Sequence, residues 1–318
     1  MSSKKMAIEV SNLKRNFNNV QAVDGISFSV ESGKVVGFIG ANGAGKTTTM
    51  RILATLDLPD SGNAFIAGND VVQNPAAVRR LLGWMPDDYG VYKNVTVGDY
   101  LDFYARAYGY QGAERARQVH EVMDFTGLDQ LVDRPMNGLS KGMGQRLCFG
   151  RTLLHDPEIL ILDEPAAGLD PKARLEFKNL VRLLSERGKT IFISSHILSE
   201  LAEMCDTMLF IDKGRIVHYG SARDLKRGSM DRHEVMLRSA SSDEAIRQWL
   251  EVNPGWNFVR NTGDGILATT TAVEPEALAG ELRRMIQDGL LITEFFMVEH
   301  KLEDVFVDML RKVEGGRL

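Results

Sequence analysis

Residues 40–47, Gly-Ala-Asn-Gly-Ala-Gly-Lys-Thr, constrain the fold of this 318-residue chain more than any other stretch. The run before them, Lys34-Val-Val-Gly-Phe-Ile39, is short, apolar and β-branched, as a buried strand should be. The run after Lys46 suits a helix. A strand, a glycine loop and a helix in that order make a phosphate-binding loop. Gly40, Gly43 and Gly45 allow backbone conformations closed to other residues, so the N–H groups of the loop, with Ala41, Asn42 and Ala44 between the glycines, can converge on one anion. The helix that starts there, with Thr48 in its first turn, adds free N–H groups and its positive end. Lys46 is expected to reach the β- and γ-phosphates of a nucleotide, and the Thr47 hydroxyl to ligate Mg²⁺.

A second stretch gains its meaning from the first. Glu158-Ile-Leu-Ile-Leu-Asp163-Glu164-Pro165 is an apolar run ending in two carboxylates. That is the pattern of a buried parallel strand delivering acids at its carboxyl end, where ligands of open α/β sheets sit. Phosphoryl chemistry on a glycine loop needs an acid on the magnesium, so the pair takes a functional reading. Thr190–Ser194 reads as a further strand, with His196 two residues beyond it at a comparable position. Phe17 falls between two alternating segments, 6–10 and 26–30, that read as half-buried antiparallel strands. It is placed either to stack on a base or to pack at an edge.

Elsewhere, 64–67 is strand-like and Gly68-Asn69-Asp70 reads as a turn, while 83–92, rich in chain breakers, reads as a loop. Six of the seven tyrosines fall between Tyr89 and Tyr110. Tyr100, Tyr104 and Tyr108 recur every four residues beside Leu101, which predicts one helical face. That face is either the core of a small helical subdomain or a docking surface for a partner. Helices are expected at 114–126, 141–155 (with Ser140 as N-cap) and 171–186, and a hairpin at 207–220 turning at Lys213-Gly214.

A net charge of −5 argues against a nucleic-acid-coating protein. No apolar run reaches the length of about 20 residues that spans a bilayer, the N-terminus lacks a signal-peptide core, and two cysteines are too few for a disulfide framework. A cytosolic compartment is expected, with Cys148 and Cys205 as buried small side chains. From about 222 the character changes. Strands are expected at 233–239, 257–272 (two, around a turn at 261–265) and 290–298, with helices at 243–252, 274–288 and 302–313. This predicts a small α+β domain over 222–318, with no glycine loop and no metal-ligand cluster, following a larger α/β domain over 1–221.

The motif set resembles the ATP-binding subunit of ATP-binding cassette (ABC) transporters over residues 6–220. Phe17 matches the aromatic that stacks on adenine, and 40–47 the Walker A loop. Leu139-Ser140-Lys141-Gly142-Met143-Gly144-Gln145-Arg146 matches the family signature, with Met143 at its fifth position. Residues 159–164 match Walker B, Ala167-Gly168-Leu169-Asp170 the D-loop, and His196 the switch histidine. The resemblance implies a P-loop NTPase cassette: a RecA-like parallel core, an antiparallel β subdomain and a helical subdomain over about 84–155. It implies ATP and Mg²⁺ as ligands, Asp163 toward the metal and Glu164 as catalytic base. Two copies would close head to tail on ATP, with Ser140 and Gly142 of one chain meeting the nucleotide of the other. The partner would be an integral-membrane permease, so the protein would sit at the cytoplasmic face of the membrane. Leu302-Glu303-Asp304-Val305-Phe306 is similar to the tail of exporter ATPases of the drug, sodium and gliding type. Where the family places Gln after Gly-Tyr-x-Pro, this chain has Asp87, which the resemblance puts at the metal. Rival readings are an ABC ATPase without a transport role and an ATP-binding regulatory module.

Overall fold

A computed structural model of the chain describes residues 5–88, 90–221, 233–240, 242–263, 265–272 and 274–298. The chain divides into two compact units, Met1–Ala222 and Arg223–Leu318.

The first unit is built on a six-stranded sheet ordered β10-β9-β3-β8-β7-β6. Strands β3 (Val35–Ile39), β7 (Ile159–Leu162) and β8 (Thr190–Ser195) are buried along their whole length, as apolar and β-branched runs in the middle of a parallel sheet must be. β6 (Leu82–Met85), β7, β8, β3 and β9 (Thr207–Asp212) run parallel, and β10 (Arg215–Gly220) returns antiparallel. Against one face lies a second, antiparallel sheet ordered β2-β1-β4-β5, from β1 (Met6–Phe17), β2 (Val20–Glu31), β4 (Ser61–Ile66) and β5 (Asn69–Asp70). The sheets share a core in which Phe28 of β2 stacks on Phe192 of β8, ring centroids 5.6 Å apart, and Phe192 on Phe38 of β3 at 5.1 Å.

Helices α1 (Lys46–Leu53), α2 (Pro75–Leu81), α6 (Pro171–Glu186) and α7 (Leu198–Ala202) flank the sheets. A helical group is formed by α3 (Val97–Ala107), α4 (Gly112–Thr126) and α5 (Lys141–Leu153). Thr96 and Asp99 close α3 with reciprocal capping bonds, and Ser140 caps α5. Tyr100 is buried in this group while Tyr108, the residue that ends α3, is exposed, so the tyrosine stripe is core at one end and surface at the other.

Three local expectations are corrected. Residues 83–85 belong to β6 rather than to a loop: pairing with β7 outweighs the breakers, and Gly83 is there because a Cβ would lie 2.8 Å from Leu160 and Thr152. The turn after β4 is at Ala67-Gly68, one residue earlier than expected, which frees Asn69 and Asp70 to pair as β5. The first strand does not stop at residue 10 but runs to Phe17.

The second unit has the order β11 (His233–Ser239), α8 (Asp243–Val252), β12 (Trp256–Thr262), β13 (Gly265–Thr270), α9 (Pro275–Gln287), β14 (Ile292–Met297). Its sheet is β12-β13-β11-β14 with every neighbour antiparallel, the βαββαβ arrangement of ferredoxin-like folds. Val235, Leu237, Ile266 and Ala268 of the sheet pack on Ile246, Trp249 and Leu250 of α8 and on Leu278 and Met285 of α9. The indole N–H groups find acids at the rim: Trp249 Nε1 donates to Asp288 and Trp256 Nε1 to Glu281. The helix expected at 302–313, and the Leu302–Phe306 motif within it, lie outside the described residues.

Candidate nucleotide site

The parallel sheet brings four strand ends side by side. β3 leads into the glycine loop, β8 into His196, β7 into Asp163 and Glu164, and β6 into Asp87. Lys46 and Glu164, 118 positions apart in sequence, meet because β3 and β7 both pair with β8.

Gly43 and Gly45 have φ of +80° and +109°, where a side chain would be strained. A Cβ on Gly45 would stand 2.4 Å from the Ala22 carbonyl oxygen, while Gly43 faces open space. Ala41 and Asn42 are exposed and Ala44 is buried. No side chain caps α1, so the N–H groups of its first turn, at Lys46, Thr47 and Thr48, keep their capacity for an anion. Lys46 is buried, and its Nζ donates to the carbonyls of Gly40 at 2.7 Å and Ala41 at 3.2 Å. The same Nζ lies 3.3 Å from Glu164 Oε1.

Asp163 is buried, its N–H bonded to the Met85 carbonyl at 2.9 Å. Ser194 Oγ donates to Asp163 Oδ1 at 2.7 Å and accepts the N–H of Glu164 at 2.8 Å. Glu164 has a left-handed backbone, φ +47°. Its Oε2 lies 2.8 Å from His196 Nδ1, and His196 itself is 44% exposed. Burial pushes the Asp163 carboxyl above its ordinary value; the Ser194 and Thr47 hydroxyls pull it back, and the charges of Glu164 and Asp87 push it up again. Asp163 Oδ2 is buried without a hydrogen-bond partner among the described residues. Asp87 is exposed and acts on Asp163 through its charge. Among the described residues, no three His, Cys, Asp or Glu side chains converge as a metal cage.

Phe17 ends β1 with 41% of its surface exposed, and the Arg15 guanidinium lies 4.5 Å from its ring centroid. Arg15 is fixed in turn by Asp57 at 2.8 Å and Asp60 at 2.9 Å. Ser140, Gly142 and Asp170 belong to another neighbourhood. A Cβ on Gly142 would meet Ala173 at 3.1 Å, and Asp170 Oδ1 accepts the N–H groups of Lys172 and Ala173 as the cap of α6. Among the described residues, no hydrogen bond or ion pair joins these three to residues 40–48.

On the helical group, Tyr92, Val95, Asp99, Tyr100, Phe103 and Tyr104 line an apolar cavity of about 420 Å³. Sequence reasoning did not find Ser194 or Arg15 as members of the site. A serine before the Ser-His pair and an arginine two residues before an aromatic were visible, but their partners lie some 30 and 42–45 residues away.

The family described as "ABC transporter" matches residues 23–167. A daunorubicin/doxorubicin resistance ATP-binding protein of Streptomyces peucetius is 32% identical over 95% of this chain and 91% of its own. A Nod factor export ATP-binding protein of Ralstonia nicotianae is 35% identical over 69% of this chain and 68% of its own. Among solved structures, a Clostridium perfringens cassette that is part of the ABC transporter complex cbiONQ superposes with a TM-score of 0.63 at 26% identity, over 69% of this chain and 89% of that one.

Proposed function

Since the chain belongs to the ABC transporter family and is an ATP-binding cassette ATPase, we propose that it powers export of a substrate through a separate integral-membrane subunit, closing as a dimer on ATP and reopening after hydrolysis. The observation that carries this reading is the convergence on Glu164 of Lys46 from the glycine loop and His196 from the end of β8. The export direction is supported by relatives described as resistance and export proteins.

In this reading the phosphates of ATP take Lys46 away from Glu164. Water attacks the γ-phosphorus, the bond to the ADP oxygen breaks, and the proton of the water passes to Glu164. His196 holds Glu164 Oε2 through Nδ1 and keeps the carboxylate from swinging toward solvent. Thr47, Asp163 and Asp87 would hold Mg²⁺. The fit rests on the unpartnered buried Oδ2 of Asp163 and on an all-oxygen donor set. Bound there, the ion neutralises charge on the phosphate oxygens.

Phe17 supplies the base platform, and residues 40–48 hold the phosphates. Ser140, Gly142 and Asp170 are assigned to the other half of a dimer interface, because among the described residues no hydrogen bond or ion pair ties them to the glycine loop of their own chain. The capped N-terminus of α5 then serves as an anion site for the nucleotide of the second copy. The aromatic cavity on α3 is the seat we assign to the permease. Phe103 and Tyr92 there are 64% and 53% exposed, which is costly for large apolar rings without a partner. We take residues 1–221 as the cassette, peripheral on the cytoplasmic face, and 222–318 as an accessory domain outside the phosphate chemistry. Among the described residues, no helix is long and apolar enough to cross a membrane.

Glu164→Gln tests the proposal. Phosphate release should fall about 10²–10⁴-fold, the contribution of a general base, and the variant should elute as a dimer with MgATP. Wild-type turnover, or a monomer at saturating MgATP, would overturn it.

A further inference from the structure

Ser194 lies at the centre of the site, fully buried on β8, and its one hydroxyl is used twice. The hydrogen goes to Asp163 Oδ1 at 2.7 Å, and a lone pair receives the N–H of Glu164 at 2.8 Å. These roles cannot be exchanged: an ionised carboxylate only accepts and an amide N–H only donates. The two bonded residues are adjacent in sequence, and the second holds a left-handed backbone, φ +47°, that is strained for a residue with a Cβ. A further bond, from the Ala167 N–H to the Glu164 carbonyl at 3.0 Å, secures the other side of the same residue.

We propose that Ser194 is a positioning residue that locks Asp163 and Glu164 in one fixed relation, so that the acid assigned to Mg²⁺ and the acid assigned to proton transfer are aimed by a single hydroxyl. The proposal rests on the roles given above to those two acids. An alanine at 194 leaves a buried carboxylate oxygen without its donor and a peptide N–H without its acceptor. Asp163 is then free to rotate about a side chain whose other oxygen is already unpartnered, and Glu164 loses a restraint on its strained backbone.

The experiment compares Ser194→Ala and Ser194→Thr with the wild type, and uses Asp163→Asn and Glu164→Gln as references. Loss of a residue that orients a metal ligand typically costs 10–100-fold in metal affinity or activity. In Ser194→Ala, kcat should fall about 10–100-fold and half-saturating Mg²⁺ rise about tenfold, with KM for MgATP within about twofold. A readout independent of turnover is the affinity for ADP in EDTA and in Mg²⁺. The EDTA value should stay at the wild-type level, while the tightening caused by Mg²⁺ should shrink. Threonine keeps the hydroxyl that both bonds use and adds one methyl. Ser194→Thr should therefore recover most of both properties.

A folded Ser194→Ala protein with wild-type kcat and Mg²⁺ dependence overturns the proposal. So does a folded Ser194→Thr protein as defective as the alanine variant, which would make the role one of volume. If Asp163→Asn and Glu164→Gln are themselves unaffected, the assignment of the acids has failed instead.

Discussion

Lys46 Nζ stands 3.3 Å from Glu164 Oε1, so the cation of the glycine loop and an acid from the end of β7 neutralise each other. Both side chains are largely withdrawn from water, where a pair is less screened than at the surface. The contact makes nucleotide binding an exchange of partners rather than a simple addition. Removing the negative charge at 164 should therefore tighten ADP in the absence of Mg²⁺, by about 3–10-fold, equivalent to about 1 kcal/mol. Fluorescence titration of Glu164→Gln in EDTA reads this directly. Unchanged or weaker binding would mean that Lys46 is not held back by the acid.

Arg15 is expected to work through Phe17. The guanidinium occupies one side of the ring and is anchored by two carboxylates, which leaves the opposite side for a base. Arg15→Met should raise KM for ATP about 3–10-fold at unchanged kcat, within the range of a stacking or cation–π contact. Competition by tripolyphosphate, which has no base, should stay the same. An equal loss for both ligands would place the effect in the loop.

Asp87 tests the metal side of the site. Its charge already reaches Asp163, so a third anion there should attract Mg²⁺ once phosphates are bound. Asp87→Asn should raise half-saturating Mg²⁺ about 3–10-fold with ATP affinity within twofold, and Asp87→Ala should leave an ATPase that no longer responds to its permease. Superimposable rate-against-Mg²⁺ curves for wild type and both variants would mean that this carboxylate points to water.

Phe103 is predicted to matter for assembly and not for chemistry. Phe103→Ser, on the exposed rim of the α3 cavity, should keep ATPase activity within about twofold while the permease no longer co-purifies. Retention of the membrane subunit at wild-type stoichiometry would move the docking surface elsewhere.

The thiols give a prediction about pH. Burial pushes Cys148 up to about 11 from an ordinary value of 9.0, with Arg151 pulling it back. A raised group holds its proton more tightly in the folded state, so its contribution to stability is complete below pH 9 and is lost as the pH rises through about 11. At pH 8 the folded protein should not react with iodoacetamide at Cys148, and should do so once denatured. Labelling of the folded protein at that position would show an open path to the sulfur.

What could be read in advance divides along a physical line. The glycine loop, the two acids and His196 were legible because each motif sits at the end of its own buried strand, and burial leaves an unbroken apolar run in the sequence. β6 was not legible as a strand. Gly83 and Pro86 look like breakers locally, yet Gly83 serves close packing against Leu160 and Thr152. The short helices α2 and α7 were also missed, since five to seven residues give too little periodicity to register. Ser194 and Arg15 escaped for a different reason. A serine in a strand and an arginine in a β-ribbon are ordinary residues until the sheet order and the ring beside them are known.

The left-handed conformation of Glu164 carries a consequence for how this sequence can drift. A glycine at that position would relieve the backbone, but it would also take the carboxylate away from the buried Lys46 ammonium and from His196 Nδ1. Backbone and side chain thus make opposite demands on one residue: the left-handed φ suits glycine, while the ammonium and the imidazole beside it call for an acid.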